Sequence, residues 1–98
     1  MVQLNWTYQA VLDLRDIAEY ISKDSQKYAT LQVQRIKLRT QILKSHPTAG
    51  QQIDFYANPS IRQLTEGNYN IIYKIISPIR VDILSVHHAA RDLGSRNI

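Results

Sequence analysis

The stretch Tyr69-Asn70-Ile71-Ile72-Tyr73-Lys74-Ile75-Ile76 carries apolar side chains at both odd and even positions. An extended strand with this pattern is apolar on both faces, which suits the interior of a sheet and not its edge. Such a strand needs a partner on each side, and the sequence supplies both. Ile61 to Thr65 precedes it across Glu66-Gly67-Asn68, residues that tolerate positive φ. Arg80 to Val86 follows after a Ser77-Pro78 turn. Three consecutive strands therefore close the chain.

The first half has a different period. Val2, Leu4 and Trp6 alternate with Gln3 and Asn5, the pattern of a half-buried strand. Thr7 is placed to cap a helix by accepting from a free N–H of its first turn. Ala10, Leu14, Ile17, Ala18 and Ile21 then recur at steps of three and four, with Val11 widening the stripe. Asp13, Arg15, Asp16 and Glu19 are expected on the solvent side. Ser22-Lys23-Asp24-Ser25 breaks this helix, and Asp24 or Ser25 caps the next.

The second helix is predicted from about Gln26 to Ser45, with Ala29, Val33, Ile36, Thr40 and Leu43 inward and a basic flank of Arg35, Lys37, Arg39 and Lys44. His46-Pro47-Thr48-Ala49-Gly50 ends it, because proline disfavours helical geometry in the residue before it. Gln51 to Pro59 is polar and reads as a loop. The expected fold is α+β in the order β-α-α-β-β-β. An antiparallel two-helix hairpin packs on one face of a small, mainly antiparallel sheet.

With 98 residues the chain builds one core, so residues 1–98 are expected to form a single domain. A chain of this size buries somewhat over ~60% of the surface exposed when unfolded. No apolar run approaches the ~18 residues of a membrane span, and the N-terminus lacks the basic start and apolar core of a signal peptide. There is no cysteine, which excludes disulfides and thiolate metal sites. The expected location is the cytoplasm, with no membrane association. A net charge of +4 favours an anionic partner, either nucleic acid or an acidic protein segment.

His87 and His88 attract a metal reading, but neighbours on a strand point to opposite faces and cannot readily share an ion. One of them is expected to pack at the end of the sheet, bonded to backbone. No glycine-flanked serine or phosphate-cradling loop supports nucleophilic or nucleotide chemistry. RNA cleavage through the 2′-hydroxyl needs only a base, an acid and a cation. His87 or His88 with Arg62, Lys74 and Arg91 would supply these if the sheet gathers them. Otherwise Arg62 and Arg91 pair with Asp82 or Asp92, and Lys74 is solvated.

The ordered set of Ala10-x-x-Asp13-Leu14-x-x-Ile17-x-x-Tyr20-Ile21, Pro47-x-x-Gly50, Ile61-Arg62-x-Leu64, Tyr69-x-Ile71-x-Tyr73 and Val86-His87-His88-x-x-Arg91-Asp92 spans nearly the whole chain. It resembles the RelE/ParE superfamily of type II toxins, closer to the ParE (plasmid stabilisation) branch. The resemblance implies a growth-inhibiting toxin neutralised by a cognate antitoxin that wraps it with a flexible segment. It implies DNA gyrase as the target, inhibited by binding and with no cofactor or metal. The residues facing target or partner would be Arg62, Tyr69, Lys74, His88 and Arg91. The alternatives are a ribosome-dependent mRNA endoribonuclease of the RelE kind, built on His87, His88, Arg62 and Arg91, or an inactive partner-binding member. Ribosome-dependent relatives carry basic residues in the loop after the second helix, where this chain has Thr48-Ala49-Gly50-Gln51-Gln52. Assembly is expected as a homodimer or a toxin–antitoxin hetero-oligomer. Gln51 and Asn70 stand where such toxins commonly carry a basic residue.

Overall fold

A computed structural model describes residues 2–53 and 57–90. β1 (Gln3–Trp6) leads into helices α1 (Tyr8–Ser22) and α2 (Gln26–Arg39), and a 3₁₀ segment spans Thr40–Lys44. A two-residue strand β2 (Gln51–Gln52) follows, then β3 (Ile61–Glu66), β4 (Tyr69–Ser77) and β5 (Arg80–His88). The sheet order is β1-β5-β4-β3-β2. β1 runs parallel to β5 and every other pairing is antiparallel. β4 lies at the centre, as its two apolar faces require.

Capping explains the entry to each helix. The Thr7 hydroxyl accepts from the Ala10 N–H at 3.3 Å, while Thr7 also donates its own N–H and hydroxyl to the Ile83 carbonyl. One residue thus ends a strand, starts a helix and ties both to β5. Ser25, and not Asp24, caps α2 by accepting from Tyr28 N–H at 3.1 Å. At the β3–β4 turn Gly67 adopts φ +58°, a conformation that costs glycine little because it has no Cβ.

Both helices pack on one face of the sheet. Ala10 and Leu14 of α1, Ile36 of α2 and Leu43 meet Leu64, Ile71, Tyr73, Val81, Ile83 and Val86 in one buried cluster. Each fully buried Ile or Leu there contributes about 2 kcal/mol through loss of apolar surface to water.

Three expectations are corrected. The α-helix stops at Arg39 and not near Ser45. The Thr40 hydroxyl bonds the Lys37 carbonyl at 2.7 Å, and the tighter 3₁₀ winding places residues three apart on one side. That puts both Thr40 and Leu43 fully inside. The loop from Gln51 opens with a short edge strand paired to Arg62 and Gln63. Finally, Val11 and Asp13 exchange roles: Val11 is 43% exposed, while Asp13 is buried.

Candidate functional site

Register sorts the residues singled out in the sequence onto two faces. Arg62 lies opposite Tyr73, and Tyr69 lies opposite His88. Cross-strand partners share a face, so Arg62, Tyr69 and His88 lie on the helix-covered side with Tyr73. Alternation along β4 puts Lys74 on the other side, with Ile72, and His87 joins them there opposite Asn70. Their partners on β4, Tyr73 and Tyr69, are four residues or about 13 Å apart along the strand, and Arg62 and His88 stand on the strands to either side of it. Arg91 lies outside the described residues.

Arg62 does not pair with Asp82. Its Nη1 donates to the carbonyls of Gly50 (2.8 Å) and Thr48 (3.4 Å), while Asp82 accepts from Arg80 at 2.9 Å and from Asn5 at 3.2 Å. Beside Arg62, the buried Tyr73 hydroxyl donates to the Pro47 carbonyl (2.7 Å) and accepts from Gly50 N–H (2.9 Å). Two adjacent strands therefore hold the Pro47–Gly50 turn from beneath. Burial pushes the Tyr73 hydroxyl above its ordinary 10.0, against the opposing pull of the Gly50 N–H bond and the nearby Arg62 charge.

The two histidines part as their alternation requires. His87 is buried, and its Nδ1 lies 3.2 Å from the carbonyl oxygen of His88. Because a carbonyl only accepts, this Nδ1 is the protonated nitrogen. His88 is exposed and stands edge-on to Tyr69, with ring centroids 5.4 Å apart at 82°. Its Nδ1 accepts from Ala90 N–H at 3.2 Å, which leaves the proton of the neutral ring on Nε2.

His88 and Tyr69 form the wall of an open groove of about 510 Å³ at the end of the sheet, with Asp16, Ile17 and Tyr20 of α1 opposite them. A second hollow of about 320 Å³ continues past Tyr20, Tyr69 and His88 to Tyr28 and Asp24. Tyr20 is 72% exposed. The groove thus offers aromatic faces, an imidazole N–H and carboxylates within one surface. Such a surface is suited to recognition, because aromatic anchors combine large contact area with a polar tip. Among the described residues no three metal-ligating side chains gather at one place.

Asp13, expected on the solvent side, instead belongs to this groove. Its Oδ2 accepts from the buried Val86 N–H at 2.9 Å, and its Oδ1 accepts from Gln9 at 2.9 Å. β1 pairs with β5 only as far as Ile83, so a helix carboxylate takes over the strand's bonding beyond that point. Asp13→Ala should lower stability by about 2 kcal/mol, since it strands a buried N–H. Asp13→Asn, which keeps an acceptor, should lose less. Urea unfolding midpoints of the two variants check this order.

The comparisons with known proteins agree with the fold. The family model described as "ParE toxin of type II toxin-antitoxin system, parDE" matches residues 4–93. Toxin RelE2 of Caulobacter vibrioides is 30% identical over 91 residues, covering 93% of this chain and 99% of the relative. A solved chain from "Chromosomal ParDE TA system from P. aeruginosa" superposes with a TM-score of 0.76 at 24% identity, over 90% of this chain and 96% of the other. The chain belongs to the ParE toxin family of type II toxin–antitoxin systems, within the wider RelE/ParE group.

Proposed function

We propose that this protein arrests growth in the cytoplasm by binding DNA gyrase, and that a cognate antitoxin neutralises it. Its target-contacting surface is the groove of Tyr20, Tyr69 and His88. The reading rests chiefly on how the sheet disperses the groups that RNA cleavage would need. His87 and His88 face opposite sides, Lys74 lies away from His88, and the Arg62 guanidinium is engaged by the carbonyls of residues 48 and 50. A preassembled acid, base and cation require convergence within hydrogen-bond reach of one substrate. A binding surface requires only exposed anchors, and this groove has them. The match to a ParE family model supports the same reading.

The likeness to a relative named RelE2 favours the nuclease alternative, and one experiment separates the two. Induced expression should relax plasmid supercoiling and filament the cells, and purified protein should inhibit gyrase. Replacing both exposed residues, Tyr20→Ala with His88→Ala, should weaken inhibition by about tenfold or more, as the loss of interface anchors does, with an unchanged melting temperature. Normal gyrase activity together with cleaved transcripts would overturn the proposal in favour of the endoribonuclease.

A further inference from the structure

The two hollows that meet at His88 carry a charge opposite to that of the whole chain. The protein has a net charge of +4, yet among the described residues no lysine or arginine lines either hollow. The carboxylates there are Asp13, Asp16 and Asp24. Asp13 is occupied by the Val86 N–H and by Gln9. Asp16 and Asp24 are exposed and make no ion pair among the described residues. Tyr20 and Tyr69 stand beside them, joined in the smaller hollow by Tyr28. Tyr20 is 72% exposed and Tyr28 53%, so much of each ring is open to a ligand.

Gln32 of α2 sets a second, independent requirement. It lines the smaller hollow and is only 8% exposed, and its Nε2 is buried with no hydrogen-bond partner. A carboxamide nitrogen only donates, and a buried donor left unmet is costly. An occupant that brings an acceptor removes that cost.

Tyrosine rings beside unpaired carboxylates select a cation, which gains from both the ring faces and the negative charge. Guanidinium suits them better than ammonium, because it is planar, stacks on rings and meets a carboxylate with a fork of donors. It has no acceptor to offer Gln32, however. An arginine residue within a peptide has one, its main-chain carbonyl. A free carboxylate would also satisfy Gln32 but would face Asp16 and Asp24. A nucleic acid would offer flat rings and acceptors, but its phosphates would meet those same carboxylates and no cation. We propose that this surface recognises an arginine residue in an extended segment of the protein that the toxin binds. The guanidinium lies over the tyrosine rings beside Asp16 and Asp24, and the adjoining carbonyl accepts from Gln32. This gives the target residue its chemistry and rests, to that extent, on the binding reading proposed above for the groove of Tyr20, Tyr69 and His88.

The test titrates the full nitrogen-15-labelled chain with the peptide acetyl-Gly-Arg-Gly-amide and follows it by NMR. The Gln32 side-chain amide signals should shift as millimolar peptide saturates the site. The Lys counterpart should bind about threefold or more weakly, and the Glu counterpart should cause no shift. Asp24→Asn and Tyr28→Ala, both at exposed positions, should each weaken arginine-peptide binding by about threefold or more, as loss of an ion partner or a ring face does. Glu19→Gln removes an exposed carboxylate outside both hollows and should bind like the parent. Unmoved Gln32 signals, or parent-like affinity in both site variants, would overturn the arginine site. Displacement of the peptide by adenosine monophosphate would overturn it in favour of a nucleic-acid ligand. Gyrase inhibition without peptide binding would overturn the arginine site and leave the target, whereas the expected peptide binding with normal gyrase activity would overturn the target and leave the site.

Discussion

Gly50→Ala is expected to be the most damaging single-methyl substitution in the described fold. A Cβ at this position would lie 2.5 Å from the Gln63 carbonyl oxygen and 2.7 Å from both Cε1 and the hydroxyl of Tyr73. Gly50 has an ordinary backbone angle, so the requirement is for space and not for left-handed geometry. None of the three atoms can retreat cheaply. The Gln63 carbonyl belongs to a strand paired on both sides, and the Tyr73 ring is fully buried at the sheet centre. Relief therefore comes from moving residues 47–50, which breaks the bonds to Tyr73 and Arg62 and detaches β2. Overpacking of this kind costs about 3 kcal/mol. For a domain of this length that lowers the melting temperature by on the order of 15 °C. A thermal scan checks it, and a shift under about 3 °C would show that the turn yields without penalty.

Tyr73→Phe should weaken the same joint from below. The ring is retained, so packing changes little, but the Pro47 carbonyl and the buried Gly50 N–H both lose their partner. Stranding two such groups costs about 3 kcal/mol near neutral pH. The loss also has a characteristic pH dependence. Burial holds the Tyr73 hydroxyl above its ordinary 10.0 in the folded protein. As pH rises past that value, the unfolded chain ionises first and binds fewer protons than the native state, so wild-type stability falls. The phenylalanine variant has no such term. The difference between the two proteins should stay level at pH 7–9 and narrow above about pH 10. Urea titrations across that range measure it, and a gap that widens with alkali would contradict the raised pKa. Because both substitutions act on one contact, their combined effect should fall short of the sum.

Much of this architecture was legible in the sequence because it follows from local rules. A period-two pattern marks β1, a period-3.6 pattern marks α1, and a run apolar on both faces marks β4 with β3 and β5 as its flanking partners. Thr7, Ser25 and Gly67 mark turns and caps through their own side chains or lack of one. The opposite facing of His87 and His88 follows from strand geometry alone. The Pro47-x-x-Gly50 motif was visible as a helix terminator, but its second role was not. The need for glycine arises from Gln63 and Tyr73, which approach from 13 and 23 positions further along the chain.

The departures from these local rules share that origin. Asp13 sits among polar neighbours on α1, a pattern that points to solvent, yet β5 runs past the end of β1 and leaves the Val86 N–H for its carboxylate to satisfy. Arg62 offers a guanidinium to any acceptor within reach, and the carbonyls of Thr48 and Gly50 accept from it because the turn lies over β3. Gln51 and Gln52 carry no strand signal, and they pair only because that turn delivers them to a free edge. The sequence by itself determined the elements, their order and the alternation that separates the histidines, since these depend on neighbours within a few residues. Only the tertiary structure decided which polar groups are bound inside and which remain outside to meet a partner. A buried donor or acceptor must be satisfied wherever a match is brought close, and that proximity is set by packing rather than by position in the chain.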